Sequence, residues 1–434
     1  MPHSLWVAAA RLLAAGVDVA DLQDANIRPV EKTEAVIGTS LLGAPYIPEV
    51  IKQIIEPNPQ ARVIVGGQVV NGLTRSQFKR LFGRRAINGN DDAALARAFG
   101  IRPSDLPPVS KTSLIPVYEL VSDEDMEKYL SHEFSFFLSQ GCRFACTFCA
   151  AVRTVKDPFS GRVTKATEEY RDMRIVEKDL RYLVQRAERL GIGEITLYLS
   201  NLDIFQTPHK LEQFADVVLK IRKNNPHFSI RMRGLATADS FIAVHRKNPT
   251  VIRKLVDAGL CTVGFGVDGA TPEVWRSVHK GHNSQDKCLE SIRVAREEYG
   301  ITPEILMVFG HPAETEDSLK TAVAFTRDMV EKYQAVPRPY IAKDIVPGND
   351  YWRMPKNRRR ISALIKHPEY FQALDFAALP SSVSHPNKKL RALATQYYLE
   401  ILDVAGNTTE PIYPVAPETS TESAQRMNEG KYDG

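Results

Sequence analysis

The sequence predicts an α/β protein: a small doubly wound domain over residues 1–109, a linker at 110–132, a partial (β/α)6 barrel over 133–350, a mostly helical region at 351–405 and a flexible tail at 406–434. Three observations predict it. Short apolar, β-branched runs alternate with stretches of helical spacing, the pattern of strands and crossover helices in a parallel sheet. Many of those runs are near-continuously apolar, as strands are when helices cover both faces. The alternation breaks once, at the proline- and charge-rich strings DLPPVS, KTSLIPVYEL and VSDEDMEKY, which mark a linker or wrapping segment.

In chain order, LWVAAARLLAA (5–15) has helical spacing and VDVADLQDA (17–25) reads as a short strand. EAVIGTSLL (34–42) and ARVIVGGQV (61–69) are strand candidates, with the helical IPEVIKQII (47–55) between them. No strand candidate precedes the first helix, although a domain of this kind ordinarily opens with one. In the second segment, strands are expected at 134–142, 194–203, 228–236, 261–270, 303–312 and 338–347. Helices at 174–191, 210–225, 251–259, 286–300 and 318–333 separate them. Six such units make an open barrel, because a closed eight-unit barrel takes about 250 residues. Beyond it KKLRALATQYYLEIL (388–402) is helical, and from Gly406 the polar composition leaves little to order a tail.

The 434 residues are 43% hydrophobic and 25% charged, which is the composition of a folded globular protein. Mean hydropathy is −0.25, and no apolar run approaches the roughly twenty residues of a membrane span. The start, MPHSLWVAAARLLAAG, has no cationic lead and so reads against a secretory signal and for a cytoplasmic location. A net charge of +4 on 56 basic and 52 acidic residues is too balanced for nucleic acid as the main partner. Five cysteines are too few for a disulfide framework. Yet Cys142, Cys146 and Cys149 fall together, as they do in a metal or redox site.

Those three lie in SQGCRFACTFCAA (139–151), spaced C-x3-C-x2-C, directly after the first barrel strand. Thiolates are the natural ligands of an iron–sulfur cluster, and three on one loop hold three irons of four. A metal centre that keeps one position open is built for catalysis. Active sites of parallel barrels sit at the carboxyl ends of the strands, where this loop falls. A zinc site would need a fourth ligand, and Cys261 and Cys288 are distant in sequence.

The loop resembles that of the radical S-adenosylmethionine (SAM) superfamily, C-x3-C-x-Φ-C, with Phe148 as the aromatic residue before the last cysteine. The resemblance covers roughly residues 133–350 and implies a TIM-like partial barrel. It also implies a [4Fe-4S] cluster on Cys142, Cys146 and Cys149 whose open iron is chelated by SAM. One electron, from an external donor of the flavodoxin or ferredoxin type, then cleaves SAM to methionine and a 5′-deoxyadenosyl radical. That radical removes hydrogen from a small-molecule substrate.

The resemblance implies further contacts. The end of the second barrel strand, LSNLD, makes Ser200, Asn201 and Asp203 candidates for the SAM amino group, although the family's frequent Gly-Gly-Glu is absent. Arg231 and Arg233 share a face by period-two alternation. One of them is a candidate for the SAM carboxylate, with an outward-facing pair as the alternative. GFGVDGATPE (264–273) makes Asp268 a candidate for the ribose hydroxyls, against a plain turn aspartate. FGHPAETEDSL (309–319) resembles the family's fifth-strand end, with Ala313 in place of a glycine. There Thr315 reads as a helix N-cap, with Glu316 and Asp317 in the first turn, and His311 as a structural histidine, with a place in the pocket lining as the alternative. The basic KNRRR (356–360) reads as a solvated turn.

The first segment is similar to the Rossmann-like cobalamin-binding domain that precedes the barrel in many radical SAM enzymes. GTSLLGAP (38–45), VIVGGQVV (63–70) and INGNDDAAL (87–95) carry this likeness. They make Ser40, Gly66 and Gly67 the cofactor candidates, because small residues at strand ends let a flat macrocycle approach the backbone. The D-x-H-x-x-G pattern of an axial ligand is absent. With cobalamin, the implied reaction is methyl transfer to a poorly activated carbon. Without it, the radical would drive dehydration, epimerisation or rearrangement. Two other readings stand beside these: a non-catalytic iron–sulfur carrier or sensor, and an RNA-modifying member of the superfamily.

Overall fold

The computed structural model describes residues 3–19, 34–39, 43–150, 168–374 and 387–405. Ser40, the tail from Gly406 and residues 20–25 of the expected strand at 17–25 lie outside the described residues; residues 17–19 are not strand.

The first domain contains α1 (His3–Ala14), β1 (Glu34–Thr39), α2 (Ile47–Ile55), β2 (Arg62–Gly67), α3 (Arg75–Phe82), β3 (Ile87–Asn88) and α4 (Asp92–Ala98). The strands form a parallel sheet in the order β1-β2-β3. Helices α2, α3 and α4 start at recognisable sequence signals. Pro48 occupies the first turn of α2, a place where a missing N–H costs nothing. Thr74 and Gln77 form a reciprocal capping box on α3, and Asp91 accepts two amides of α4.

One sheet face buries Val63 and Val65 against Ile47, Ile51 and Phe78. The same core takes Ile361, Leu364, Ile365, Tyr370 and Phe371 from the far end of the chain. The region after the barrel therefore folds back as a cover for the first sheet, which its sequence did not announce. The other face puts Ile64 against Leu12 and Leu95. Helix α1 serves both domains, since its Trp6, Ala9 and Ala10 lie in the barrel core.

The segment at 110–132 wraps the barrel. It folds into α5 (Ile115–Leu120) and α6 (Asp123–Leu130), whose Val117, Tyr118, Met126 and Leu130 are buried in the barrel core.

The barrel runs β4 (Glu133–Phe136), β5 (Ser139–Gln140), β6 (Glu169–Tyr170), α7 (Met173–Arg189), β7 (Glu194–Leu199), α8 (Pro208–Asn224), β8 (Ser229–Ala236), α9 (Ala238–Lys247), α10 (Pro249–Ala258), β9 (Leu260–Gly266), α11 (Pro272–Ser277), α12 (Gln285–Tyr299), β10 (Thr302–Phe309), α13 (Glu316–Tyr333) and β11 (Val336–Ile341). Six strands pair in parallel in the order β4-β7-β8-β9-β10-β11, an open half-barrel. After it come α14 (Arg358–Lys366) and α15 (Lys388–Ala405), and α15 packs on β11 and α13. It thereby covers a sheet edge that would otherwise be exposed.

Three strand expectations change. The run expected at 134–142 leaves the sheet after Phe136, because the carbonyls of Phe137 and Leu138 go to Arg171. Its second part pairs antiparallel with β6. The last strand ends at Ile341, level with Phe309. A register irregularity between Met232 and Arg233 interrupts the alternation of β8, so Arg231 is exposed while Arg233 is buried. The helix expected at 251–259 is α10, opened by Pro249, and α9, which ends at Lys247 before it, is a further helix that the sequence reading did not include. Among the described residues no helix is long and apolar enough to cross a membrane.

Candidate active site

The cysteine loop follows β5 and is held at its backbone. Gln206 accepts from the Arg143 amide at 3.0 Å and donates to the Gly141 carbonyl at 3.2 Å. The Thr147 amide donates to Val278 O at 3.1 Å, and Thr147 O accepts from the Asp350 amide at 3.1 Å. The Cys149 amide donates to Cys146 O at 3.2 Å. These bonds come from the loops after β7, β9 and β11, so several strand ends together fix the loop.

Cys142 is buried, and Cys146 and Cys149 are partly so. Cys149 acts electrostatically on both Cys142 and Cys146, and Cys142 acts on Cys146 as well. Burial pushes the Cys142 thiol up to about 11 and the Cys146 thiol up to about 12. In the free protein they are neutral, and loading iron there releases their protons. Among the described residues no group of three or more His, Cys, Asp or Glu stands close enough to hold one metal ion. A multi-iron cluster spaces its thiolates more widely than one ion does, so that bears on a zinc site and not on a cluster. The donor set, three sulfurs on one backbone-fixed loop, fits a cluster.

Around the loop, the Phe148 ring lies 5.2 Å from the ring of His311. His311 Nε2 meets the Asp268 carbonyl at 3.1 Å, and burial holds its imidazole down to about 4, hence neutral. Glu314 Oε2 accepts from the amides of Gly310 and His311, while burial lifts its carboxyl to about 8. Thr315 caps α13 as expected, with Ser318 closing a capping box.

Ser200 donates to Phe136 O at 3.2 Å. Asn201 is 1% exposed. Its Nδ2 donates to Ser139 Oγ at 2.6 Å, Glu168 Oε1 at 3.1 Å and Tyr170 Oη at 3.2 Å, and its Oδ1 has no partner. Asp203 is occupied elsewhere, accepting from Ser240 Oγ at 2.7 Å, Thr237 Oγ1 at 3.0 Å and the Phe205 amide at 3.1 Å. Sequence reasoning missed Glu168. It accepts from Ser139, Asn201 and Thr207, all neutral, and burial raises its carboxyl. It belongs to no strand-end motif, and chain position gives no sign that it reaches Asn201.

Arg233 is engaged by Glu304 through Nε (2.9 Å) and Nη2 (2.5 Å) and by Glu133 at 3.2 Å. Glu304 also binds Arg338 at 2.9 Å. Arg231 stands 3.9 Å from Glu194 in the amino-terminal half of β8, away from the cysteine loop. Asp268 has a left-handed φ of 52° and pairs with the buried Lys280, a second residue that sequence reasoning missed. In KNRRR, Arg360 is pinned to Asp344 at 2.7 Å rather than free in solvent.

In the first sheet, Gly38 pairs with Gly66 and Thr39 with Gly67, so glycine fills three of the four positions at its carboxyl end. That edge suits close approach of a flat ligand. Asn90 lies over it, accepting from the Gly67 amide at 2.8 Å and donating to Gly67 O at 3.0 Å. The turn after β2 reaches the cysteine loop. A Cβ on Gly348 would sit 3.6 Å from Asn71 and 3.9 Å from Ala150. Ala150 is buried with Val69, Val70 and Val346.

Residues 136–326 match the radical SAM superfamily. An uncharacterised methyltransferase of Pyrococcus horikoshii is 25% identical over 243 residues, which make up 55% of this chain and 45% of that protein. The match thus spans less than half the length of that relative. The structure is similar to that of the radical SAM methyltransferase TsrM from Kitasatospora setae with cobalamin and a [4Fe-4S] cluster bound. The TM-score is 0.58 at 16% identity, over 81% of this chain and 74% of that one. It is also similar to the cobalamin-dependent SAM radical enzyme OxsB with aqua-cobalamin and SAM bound, at a TM-score of 0.52 and 14% identity, over 77% and 47%. At these identities the likeness is one of fold.

Proposed function

The chain belongs to the radical SAM superfamily, and from that premise we propose that it is a cobalamin-dependent radical SAM methyltransferase. Its substrate would be a small organic molecule, its location the cytoplasm, and its electron source an external flavodoxin- or ferredoxin-type donor. When bound, the cluster and SAM would supply hydrogen abstraction and cobalamin the methyl group.

The chain's own residues would hold and orient these groups. Cys142, Cys146 and Cys149 are the three thiolate donors. Asn201 Oδ1, buried without a donor, and the Glu168 carboxylate, bonded by neutral groups alone, suit the N–H donors of the SAM amino group. Asp268 suits the ribose, and the Phe148 ring walls the site beside His311. Arg233 and Arg231 have carboxylate neighbours of their own, which leaves the SAM carboxylate to the open iron.

One observation carries the methyl-transfer reading. The glycine-lined end of the first sheet and the cysteine loop of the second meet at Asn71, Gly348 and Ala150. A methyl carrier on the first sheet would thus face the site where a substrate radical forms. The Asn90 side chain folded over Gly67 favours the alternative, a cobalamin-free radical SAM enzyme. Purification after expression with cobalamin available separates the two. Methyl transfer predicts a corrinoid absorption band that stays with the protein and is lost in Gly66→Leu. A protein that carries its cluster but retains no corrinoid contradicts it.

A further inference from the structure

Lys280 is 4% exposed. Its Nζ donates to the Gly266 carbonyl at 2.6 Å and to the Asp268 carboxylate. An ammonium has three donors, so one remains beyond these two partners.

The segment that carries it is fixed at every step. Val278 O accepts from the Thr147 amide, inside the cysteine loop, at 3.1 Å. His279 takes a left-handed φ of 56°, a conformation that persists in a non-glycine residue only where the surroundings impose it. The Lys280 amide donates to Trp275 O at 2.7 Å, and Asn283 Nδ2 donates to the carbonyls of Gly266 and Val267 at 3.1 Å each. Gly266 completes the seat, because a Cβ there would fall 2.7 Å from Nζ. The sequence has therefore kept an ammonium-sized space at the end of β9.

The segment around Lys280 packs on the cysteine loop at two points. Val278 O takes the Thr147 amide, and the His282 ring stacks on that of Phe144 with 4.1 Å between centroids. Lys280 thus lies between two contacts that bracket Cys146 in the loop.

We propose that Lys280 is a positioning residue for the cluster site: its buried ammonium, seated on Gly266 O and Asp268, holds positive charge against Cys146 and raises the potential at which a cluster on this loop accepts its electron. A cation at a low-dielectric site favours the reduced cluster, and net charge with hydrogen bonding near the sulfurs is how a protein sets that potential. The inference rests on the cluster proposed above but not on cobalamin, SAM or the substrate.

The test is an anaerobic redox titration of the full chain followed by electron paramagnetic resonance, after iron–sulfur reconstitution and without SAM. Wild type is compared with Lys280→Met and Lys280→Arg, each with iron content measured. Lys280→Met is expected to move the reduction equilibrium at least tenfold toward the oxidised cluster, which is 59 mV for one electron. Lys280→Arg is expected to stay near wild type. Because Lys280→Met leaves Asp268 unpaired, the double variant Lys280→Met/Asp268→Asn is titrated beside it and should also fall below wild type. Wild-type potentials in both Met variants at full iron content would overturn the proposal. A wild type that takes up no cluster removes the proposed function itself, an outcome distinct from an unshifted potential.

Discussion

A methyl group added to Gly72 would fall 2.2 Å from the backbone nitrogen of Gly348. The turn after β2 thus touches, backbone to backbone, the segment that follows β11. That contact joins the two sheets, and only glycine permits it. Gly72→Ala is expected to destabilise the chain by about 1–3 kcal/mol, the range for overpacking. Gly193→Ala has nothing within 4 Å of the added carbon and should change stability by less than about 0.5 kcal/mol. Urea unfolding of the two variants against wild type makes the comparison, and equal midpoints would refute the tight contact.

The linker depends on one buried charge pair. Arg171 and Asp179 are 1% and 0% exposed. Asp179 accepts from Ser113 Oγ at 2.5 Å and the Leu114 amide at 3.0 Å, and Arg171 donates to Thr112 O at 2.7 Å. Removing one partner leaves the other buried and unpaired, so Asp179→Ala should cost about 3–5 kcal/mol. Chemical denaturation reads this, and limited proteolysis should then cut first within residues 110–132.

Glu314 predicts a pH dependence. Burial raises its carboxyl from 4.5 to about 8 in the folded chain. The folded state therefore holds a proton that the unfolded state loses, and its stabilising effect fades as pH rises through 8. His311 and His282, both lowered to about 4, act in the opposite sense below 6.5. Above 6.5 the two histidines no longer contribute, and the Glu314→Gln comparison separates this carboxyl from the others that burial raises, Glu133, Glu168, Asp203 and Asp344. Stability should fall with pH there, and less steeply in Glu314→Gln, whose side-chain carbonyl still accepts from the Gly310 and His311 amides. Identical slopes would contradict this assignment.

The proposed site for the SAM amino group is tested by binding alone. Glu168→Gln removes a charged acceptor while keeping its shape. A hydrogen bond to a charged group contributes about 1.5–3 kcal/mol. SAM affinity for the cluster-loaded protein, by equilibrium dialysis, should therefore fall roughly ten- to a hundredfold. A SAM analogue without the amino group should bind both proteins alike. A selective loss for the analogue instead would move the amino group elsewhere.

Local patterns made much of this legible. The strand runs of the barrel could be read because helices cover the sheet and keep them apolar, and the cysteine loop could be placed because it follows the first of them. Tertiary facts could not be read. Arg231 and Arg233 were expected on one face, and a register irregularity no composition reports divides them. Ile361, Leu364 and Phe371 form an ordinary apolar set, and only the fold reveals that they cover the first sheet. Glu168 and Lys280 matter through neighbours 33 and 12 residues away, Asn201 and Asp268. Ser40 lies outside the described residues.

The central claim is that three thiolates bind a cluster with one iron left for SAM. Electron paramagnetic resonance of the reduced, reconstituted protein before and after SAM is added tests it most directly. The account predicts an altered cluster signal on adding SAM, formation of 5′-deoxyadenosine under reducing conditions, and loss of both in Cys146→Ala. A fully loaded cluster whose signal ignores SAM, or one that survives intact in Cys146→Ala, would contradict it.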